Sequence, residues 1–246
     1  MRRIRVFVDD PIAAGEPLAL SPFATDHLLK VLRLQRGAAV TVFNGDGNDY
    51  EGTLEVIGKG IAAVLVAQAS PIANESPLEL TLAQSIARGE KMDLILQKAT
   101  ELGVSRIVPL VSERTEVRLD EDRADRRVAH WRRVVQSACE QCGRAVVPVV
   151  DAPVALPAWI ATMRDAPARK LALHPEGARS FRELALGADE AIVLAVGPEG
   201  GFGDRDLDAL AQGGFERLSL GPRILRTETA GLAAIAALQA VLGDLG

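Results

Sequence analysis

Two apolar runs in the last quarter of the chain, Ile192–Val196 and Leu218–Leu220, each stop at a Gly-Pro pair. Proline has no N–H to give to a ladder, and glycine takes backbone angles that other residues avoid, so neither run can continue through its pair as a strand. The stretches read Ala191-Ile-Val-Leu-Ala-Val-Gly197-Pro-Glu-Gly-Gly-Phe-Gly203 and Leu218-Ser-Leu-Gly221-Pro-Arg-Ile-Leu-Arg-Thr-Glu-Thr-Ala230. Two buried strands ending at the same kind of corner point to an open α/β sheet, in which ligands sit at strand ends.

From Leu78 onward strands alternate with helices. The strands fall at Leu80–Ile86, Ile107–Val111, Val146–Val150, Leu171–His174, Ile192–Val196 and Leu218–Leu220. Helices are expected at Lys91–Leu102, Asp125–Cys142, Leu156–Met163, Phe181–Leu186, Asp204–Ala211 and Thr227–Leu242. Six strands with interleaved helices imply a largely parallel sheet covered on both faces. The last helix is apolar nearly all round, which demands cover on every side, either within the domain or as a homodimer seam.

The first part of the chain differs. Ile4–Val8, Ala39–Phe43, Gly52–Ile57 and Ile61–Ala67 are short and strand-like, and Asn44-Gly-Asp-Gly-Asn48 favours a tight hairpin, so a compact barrel or curled sheet is expected. One helix, Ser21–Arg36, interrupts it and stops at Gly37; at 100° per residue Leu28, Val31 and Leu32 share a face, with Lys30 and Arg33 opposite and Arg36 on the flank. Ala69–Pro77, with two prolines, reads as a linker, giving units at 1–72 and 73–246.

The 246 residues carry a net charge of −5 and 4% aromatics, so an anionic partner must be met by a local basic patch. Lys30, Arg33 and Arg36, joined by Arg2, Arg3 and Arg5, are the candidates for RNA phosphates. Cys139 and Cys142 are spaced C-x-x-C, but a structural zinc needs four ligands and His130 would lie roughly 13 Å away along the same helix, so two small helix residues are expected and no metal. The N-terminus carries no apolar run of signal length, and a cytoplasmic protein is expected.

The first glycine loop invites a dinucleotide reading, but its glycine spacing fails the fingerprint and no Gly-Lys-Ser/Thr follows. Its acidic residues Glu199, Asp204 and Asp206 suit a ligand with positive charge or hydroxyls. In the second loop Arg223, Arg226, Thr227, Glu228 and Thr229 stand at a strand end, with Thr227 placed to cap the next helix. Two arginines and a glutamate there are costly to desolvate unless they pair or bind something.

These paired motifs resemble the SPOUT superfamily of knotted RNA methyltransferases, and within it the family that methylates N3 of a uridine in 16S ribosomal RNA. The likeness extends through His27–Leu34, Lys91–Gly103, Pro109–Arg114 and Glu140–Arg144; Cys142 departs from it where a residue such as serine is expected. The resemblance implies a small PUA-like β-barrel for RNA and an α/β domain with a mostly parallel sheet tied in a trefoil knot. It also implies a homodimer acting on the small ribosomal subunit, with S-adenosylmethionine as methyl donor.

On that reading the donor is held by Leu173 and His174, by Gly197, Pro198, Glu199 and Gly200 of the first loop, and by Leu220, Gly221, Leu225, Thr227 and Ala230 of the second. The donor is already activated, so the enzyme must align the reactants and stabilise the N3 anion of the base. An arginine beside the uracil oxygens would do the latter. Arg226 is the first choice, with Arg223 and Arg144 as alternatives, the last reaching across the dimer. Glu199, Glu228 or Glu140 would accept the proton. Two rival readings are a non-catalytic RNA-binding or assembly protein, and a nucleotide enzyme using the first loop alone.

Overall fold

The early strands carry runs of buried residues, such as Val40–Phe43, and a computed structural model describes residues 4–56, 61–117, 121–176, 179–184, 187 and 190–246. The described residues divide into two compact units, one of residues 1–75 with 136–147 and one of 76–135 with 148–246. A helix end far along the chain therefore completes the first unit, which differs from a single cut after residue 72.

The first unit is a five-stranded sheet of β1 (Arg5–Phe7), β2 (Pro17–Ala19), β3 (Ala39–Phe43), β4 (Asn48–Val56) and β5 (Ala62–Pro71), in the order β1-β3-β4-β5-β2. Only β1 and β3 run parallel. Val42, Leu54, Val64 and Leu28 are fully buried at its centre. Strand β2 escaped the sequence pattern because three residues beginning with proline show no alternation. The expected end of a strand at Ile57 lies outside the described residues.

The interrupting helix is shorter than expected and changes its pitch. It is α1 (Pro22–Asp26), followed by a π turn over His27–Val31 closed by Leu32 N–H donating to the His27 carbonyl (2.9 Å). Taking 100° per α residue and about 80° per π residue from Phe23, Ala24, Thr25 and Leu28 fall between about 100° and 200°, whereas Val31 returns to within about 10° of Phe23. That is the observed pattern: Ala24, Thr25 and Leu28 are buried and Val31 is exposed. Val31 thus leaves the apolar face on which a regular helix would place it, and Leu32, just past the end of the π turn, is 40% exposed.

Arg5, expected to meet RNA phosphates, and Arg144, expected to reach the substrate across the dimer, are both engaged within the fold. Arg5 is buried against Asp49 (Nη2 to Oδ1, 2.6 Å) and donates to the carbonyls of Cys139 (2.5 Å) and Arg144 (3.1 Å). Cys139 lies in the last turn of α3 (Glu121–Cys142), where a cation complements the helix dipole. Arg144 is buried and paired with Glu75 at 2.5 Å. Glu140 accepts the Phe7 N–H on edge strand β1 (3.0 Å), which commits the carboxylate to the fold. Burial pushes the Cys139 thiol up to about 12, with the neighbouring Cys142 adding to the shift, so it is an inert packing group. Arg2 and Arg3 lie outside the described residues.

The second unit holds β6 (Leu80–Ser85), β7 (Arg106–Val111), β8 (Val149–Val150), β9 (Val154–Ala155), β10 (Arg169–Leu173), β11 (Arg179–Ser180), β12 (Ile192–Val196) and β13 (Glu216–Ser219). The order is β11-β13-β10-β12-β6-β7-β8 with β9 beside β7, and every pairing is parallel. The two strands beyond the expected six, β9 and β11, have two residues each, too few to carry a pattern. Along β12, Val193 and Ala195 face a core shared with α4 (Leu156–Met163) and α5 (Asp204–Gln212). The opposite face is covered by α2 (Glu90–Glu101), which packs on α6 (Thr227–Leu242), itself in contact with β12. The helix expected to end at Leu186, outside the described residues, is a single 3₁₀ turn at Phe181–Glu183. Among the described residues no helix is long and apolar enough to cross a membrane.

Candidate active site

Because all neighbours are parallel, the carboxyl ends of β10, β12 and β13 lie on one edge of the sheet, and their loops enclose a cavity of about 360 Å³. That is within the usual range for small-molecule sites, and its place at strand ends is where α/β sheets bind ligands. The eleven residues assigned to the donor by resemblance all border it, as does Arg223. Arg226 and Glu228 do not.

The first loop folds back on itself, with Gly201 N–H donating to the Pro198 carbonyl (2.9 Å). A β-carbon on Gly197 would sit 2.9 Å from the Phe202 nitrogen and 3.0 Å from the Gly201 carbonyl carbon, so only glycine permits the turn. The second loop is fastened to the first by one side chain: buried Thr227 donates its hydroxyl proton to the Gly197 carbonyl at 2.6 Å. Fully buried Gln84, at the end of β6, donates to Thr227 Oγ1 (3.0 Å) and to the Ser85 carbonyl (2.9 Å).

Thr227 therefore does not cap α6. The cap position is Arg226, whose carbonyl accepts the N–H groups of Thr229 (2.9 Å) and Ala230 (2.8 Å) while its side chain makes no capping bond. The Thr227 hydroxyl is spent on the loop-to-loop bond instead. Thr227→Val, which keeps the shape and leaves the Gly197 carbonyl and the Gln84 amide without this partner, is expected to cost about 1–3 kcal/mol of stability, read as a lower urea midpoint.

The acidic residues of the first loop separate in role. Asp206 is 3% exposed and accepts the N–H groups of Gly203 (3.0 Å) and Glu113 (3.0 Å), so it locks the start of α5 to the turn after β7 and does not face a ligand. Glu199 borders the cavity and accepts bonds from Arg88 N–H and Lys91 Nζ, both 3.1 Å. Partial burial opposes its charge, but its own backbone N–H, that of Arg88 and the Lys91 ammonium outweigh it and hold the carboxyl below its usual range. Such a carboxylate is a poor proton acceptor. Glu228 is half-buried and its Oε2 has no hydrogen-bond partner among the described residues.

Three contributors were missed in the sequence. Arg114 borders the cavity and donates to the Gly200 carbonyl (2.8 Å), from a turn closed by Thr115 N–H donating to the Ser112 carbonyl (3.0 Å). It lies three residues beyond the apolar strand β7, with no Gly-Pro corner to mark the loop. Gln84 is one of three polar residues of β6, with Thr81 and Ser85, and nothing in the sequence singled it out. Glu176, which follows β10, is the third; its carbonyl oxygen lies 2.7 Å from His174 Nδ1.

The sequence matches the RNA methyltransferase domain family over residues 74–239 and the RNA methyltransferase PUA domain over residues 25–66. Ribosomal RNA small subunit methyltransferase E of Buchnera aphidicola is 32% identical over 241 residues, covering 98% of this chain and 97% of that one. The chain belongs to the ribosomal RNA small subunit methyltransferase E family. A member of this family from Neisseria gonorrhoeae, solved bound to S-adenosyl methionine, is 37% identical with a TM-score of 0.89 over 99% of this chain and 100% of that one. A methyltransferase from Legionella pneumophila, solved with bound SAM, is 38% identical with a TM-score of 0.94 over 100% of both chains.

Proposed function

We propose that this chain uses S-adenosylmethionine to methylate N3 of a uridine in 16S ribosomal RNA, uridine 1498 by family resemblance. The observation that carries the reading is the single cavity into which both Gly-Pro loops open, in a chain of this family. The lining suits the donor. Leu173, Leu220 and Leu225 offer apolar walls for a planar base, Arg114 suits a carboxylate, and Glu176 and Glu199 suit cationic groups. When bound, S-adenosylmethionine supplies a methyl group already activated on a cationic sulfur.

The chain's own work is alignment and charge. The Thr227 to Gly197 bond fixes one loop against the other, so the donor and the base are met by a preformed wall. Arg223, which borders the cavity where Arg226 does not, takes over the stabilisation of the N3 anion, since an adjacent cation favours loss of the N3 proton. Duplex RNA hides N3 in the base pair, so the target uridine must be unpaired or extruded.

With this reading go a homodimer built on α6, whose Ala233, Ala240 and Val241 are exposed, a knotted second unit and a cytoplasmic location. Incubating the chain with tritiated donor and small ribosomal subunits lacking the modification, then digesting the RNA to nucleosides, is expected to give labelled 3-methyluridine. Label in any other nucleoside, or none with a donor-binding chain, rejects the reading.

A further inference from the structure

The end of β6 buries an amide that packing alone does not call for. Gln84 is 0% exposed, and its Oε1, itself buried, has no hydrogen-bond partner among the described residues. A β-carbon on Gly231 would lie 3.5 Å from that oxygen and 3.5 Å from Val196 Cγ2, so the oxygen faces α6 at this glycine. A buried carbonyl without a donor is expensive, and methionine would fill the same space without it.

The other end of the amide is fully used. Its Nε2 donates to the Ser85 carbonyl (2.9 Å) and to Thr227 Oγ1 (3.0 Å). The Gly197 carbonyl is 3.5 Å from the same nitrogen, beyond the range of a good N–H···O bond, so the amide acts on it through Thr227. A threonine hydroxyl has one proton, which rotates to suit its surroundings. Because Nε2 can only donate, Thr227 Oγ1 accepts on that side and its own proton is directed to Gly197, at 2.6 Å. Bonds in such a chain polarise and strengthen one another. Val196, which precedes the glycine, is the register partner of Gln84 across β12 and β6, so β6 braces the corner where the first loop departs. Gly197 and Thr227 border the cavity, and Gln84 does not.

We propose that Gln84 is a positioning residue for the methyl donor. Its amide sets the direction of the Thr227 hydroxyl, and through that hydroxyl it holds the Gly197 turn that walls the cavity. The orphaned oxygen is the other half of an amide kept for its nitrogen. This role rests on the reading of the cavity as the S-adenosylmethionine site.

Isothermal titration of S-adenosylmethionine into the full chain reads the effect, with the thermal midpoint measured beside it. Gln84→Met is expected to weaken donor affinity by roughly tenfold, the worth of about one hydrogen bond. It should lower the midpoint less than Thr227→Val does, because the orphaned oxygen leaves with the amide. In a Thr227→Val chain, where the relay is already broken, the same substitution should change affinity by less than about twofold. Gln84→Glu adds a pH readout, since burial raises the pKa of the carboxyl it introduces. Protonated, that carboxyl donates to Thr227 Oγ1 and affinity approaches wild type; ionised as the pH rises, it competes for the Thr227 proton and affinity falls below wild type. Wild-type donor affinity in Gln84→Met overturns the proposal, even with a lowered midpoint, since that is the result of a purely structural amide. So does a tenfold loss that persists in the Thr227→Val chain, which would place the effect outside the relay. Should Gln84→Met not fold, Gln84→Glu decides, and an affinity that follows wild type at every pH overturns the role. A wild-type chain that binds no S-adenosylmethionine rejects the methyltransferase reading itself, and the role of Gln84 falls with it.

Discussion

Arg5→Ala is expected to destabilise the first unit by about 3–5 kcal/mol, because it strands the buried Asp49 carboxylate without its cation. The loss has further parts: two carbonyls, of Cys139 and Arg144, lose a charged donor, and the Phe43 ring loses a guanidinium 4.3 Å from its centroid. Hydrogen exchange of the β1 and β3 amides, read beside a denaturant titration, checks it, since amide protection reports local opening separately from the global transition. Arg5→Lys should recover only part of the loss, because an ammonium cannot reach Asp49 and both carbonyls in the fork geometry of arginine. A change within about 0.5 kcal/mol, the usual effect of an exposed residue, would return Arg5 to the surface and to the RNA.

Gly197→Ala is expected to lower affinity for S-adenosylmethionine on the order of 100-fold, about 2.7 kcal/mol. The added carbon would be 2.9 Å from the backbone nitrogen of Phe202, and backbone cannot turn aside as a side-chain tip can. The loop must open, and with it the Thr227 bond to the Gly197 carbonyl. Gly200→Ala is the control: its new carbon would meet Arg114 Cδ at 3.4 Å, an ordinary contact, and should change affinity by less than about threefold. Isothermal titration of both variants decides it, and equal affinities would mean that the tight turn is not what shapes the pocket.

The second unit was legible because its signals are local. Apolar runs set β6, β7, β10 and β12, and a proline after a glycine ended β12 whatever the rest of the chain did. The site followed from the same corners, since parallel strands put their loops on one edge. What escaped depended on partners far along the chain. Arg5 near the N-terminus looks the same whether it faces a phosphate or the end of α3, and only the approach of residues 136–147 to the first unit decides between them. Asp206 was readable as an acid in the first turn of α5, yet its second acceptor bond, to Glu113, comes from 93 residues away. The π turn had no signal at all: slowing the rotation between His27 and Val31 leaves the composition unchanged and moves Val31 from the core to the surface.

The discontinuity of the first unit sets an order of events during synthesis. Its sheet is encoded by residue 75, but the carbonyls that receive Arg5 and the arginine that receives Glu75 belong to residues 136–147. At typical translation rates the ribosome needs roughly 4–14 s to add the intervening stretch and the piece that closes the fold. Until then a nascent chain carries Arg5 and Asp49 as an incomplete cluster and a β1 edge without Glu140. The first strands to be made are thus among the last to be finished, and the stretch that delays them holds β6, α2 and β7 of the other unit.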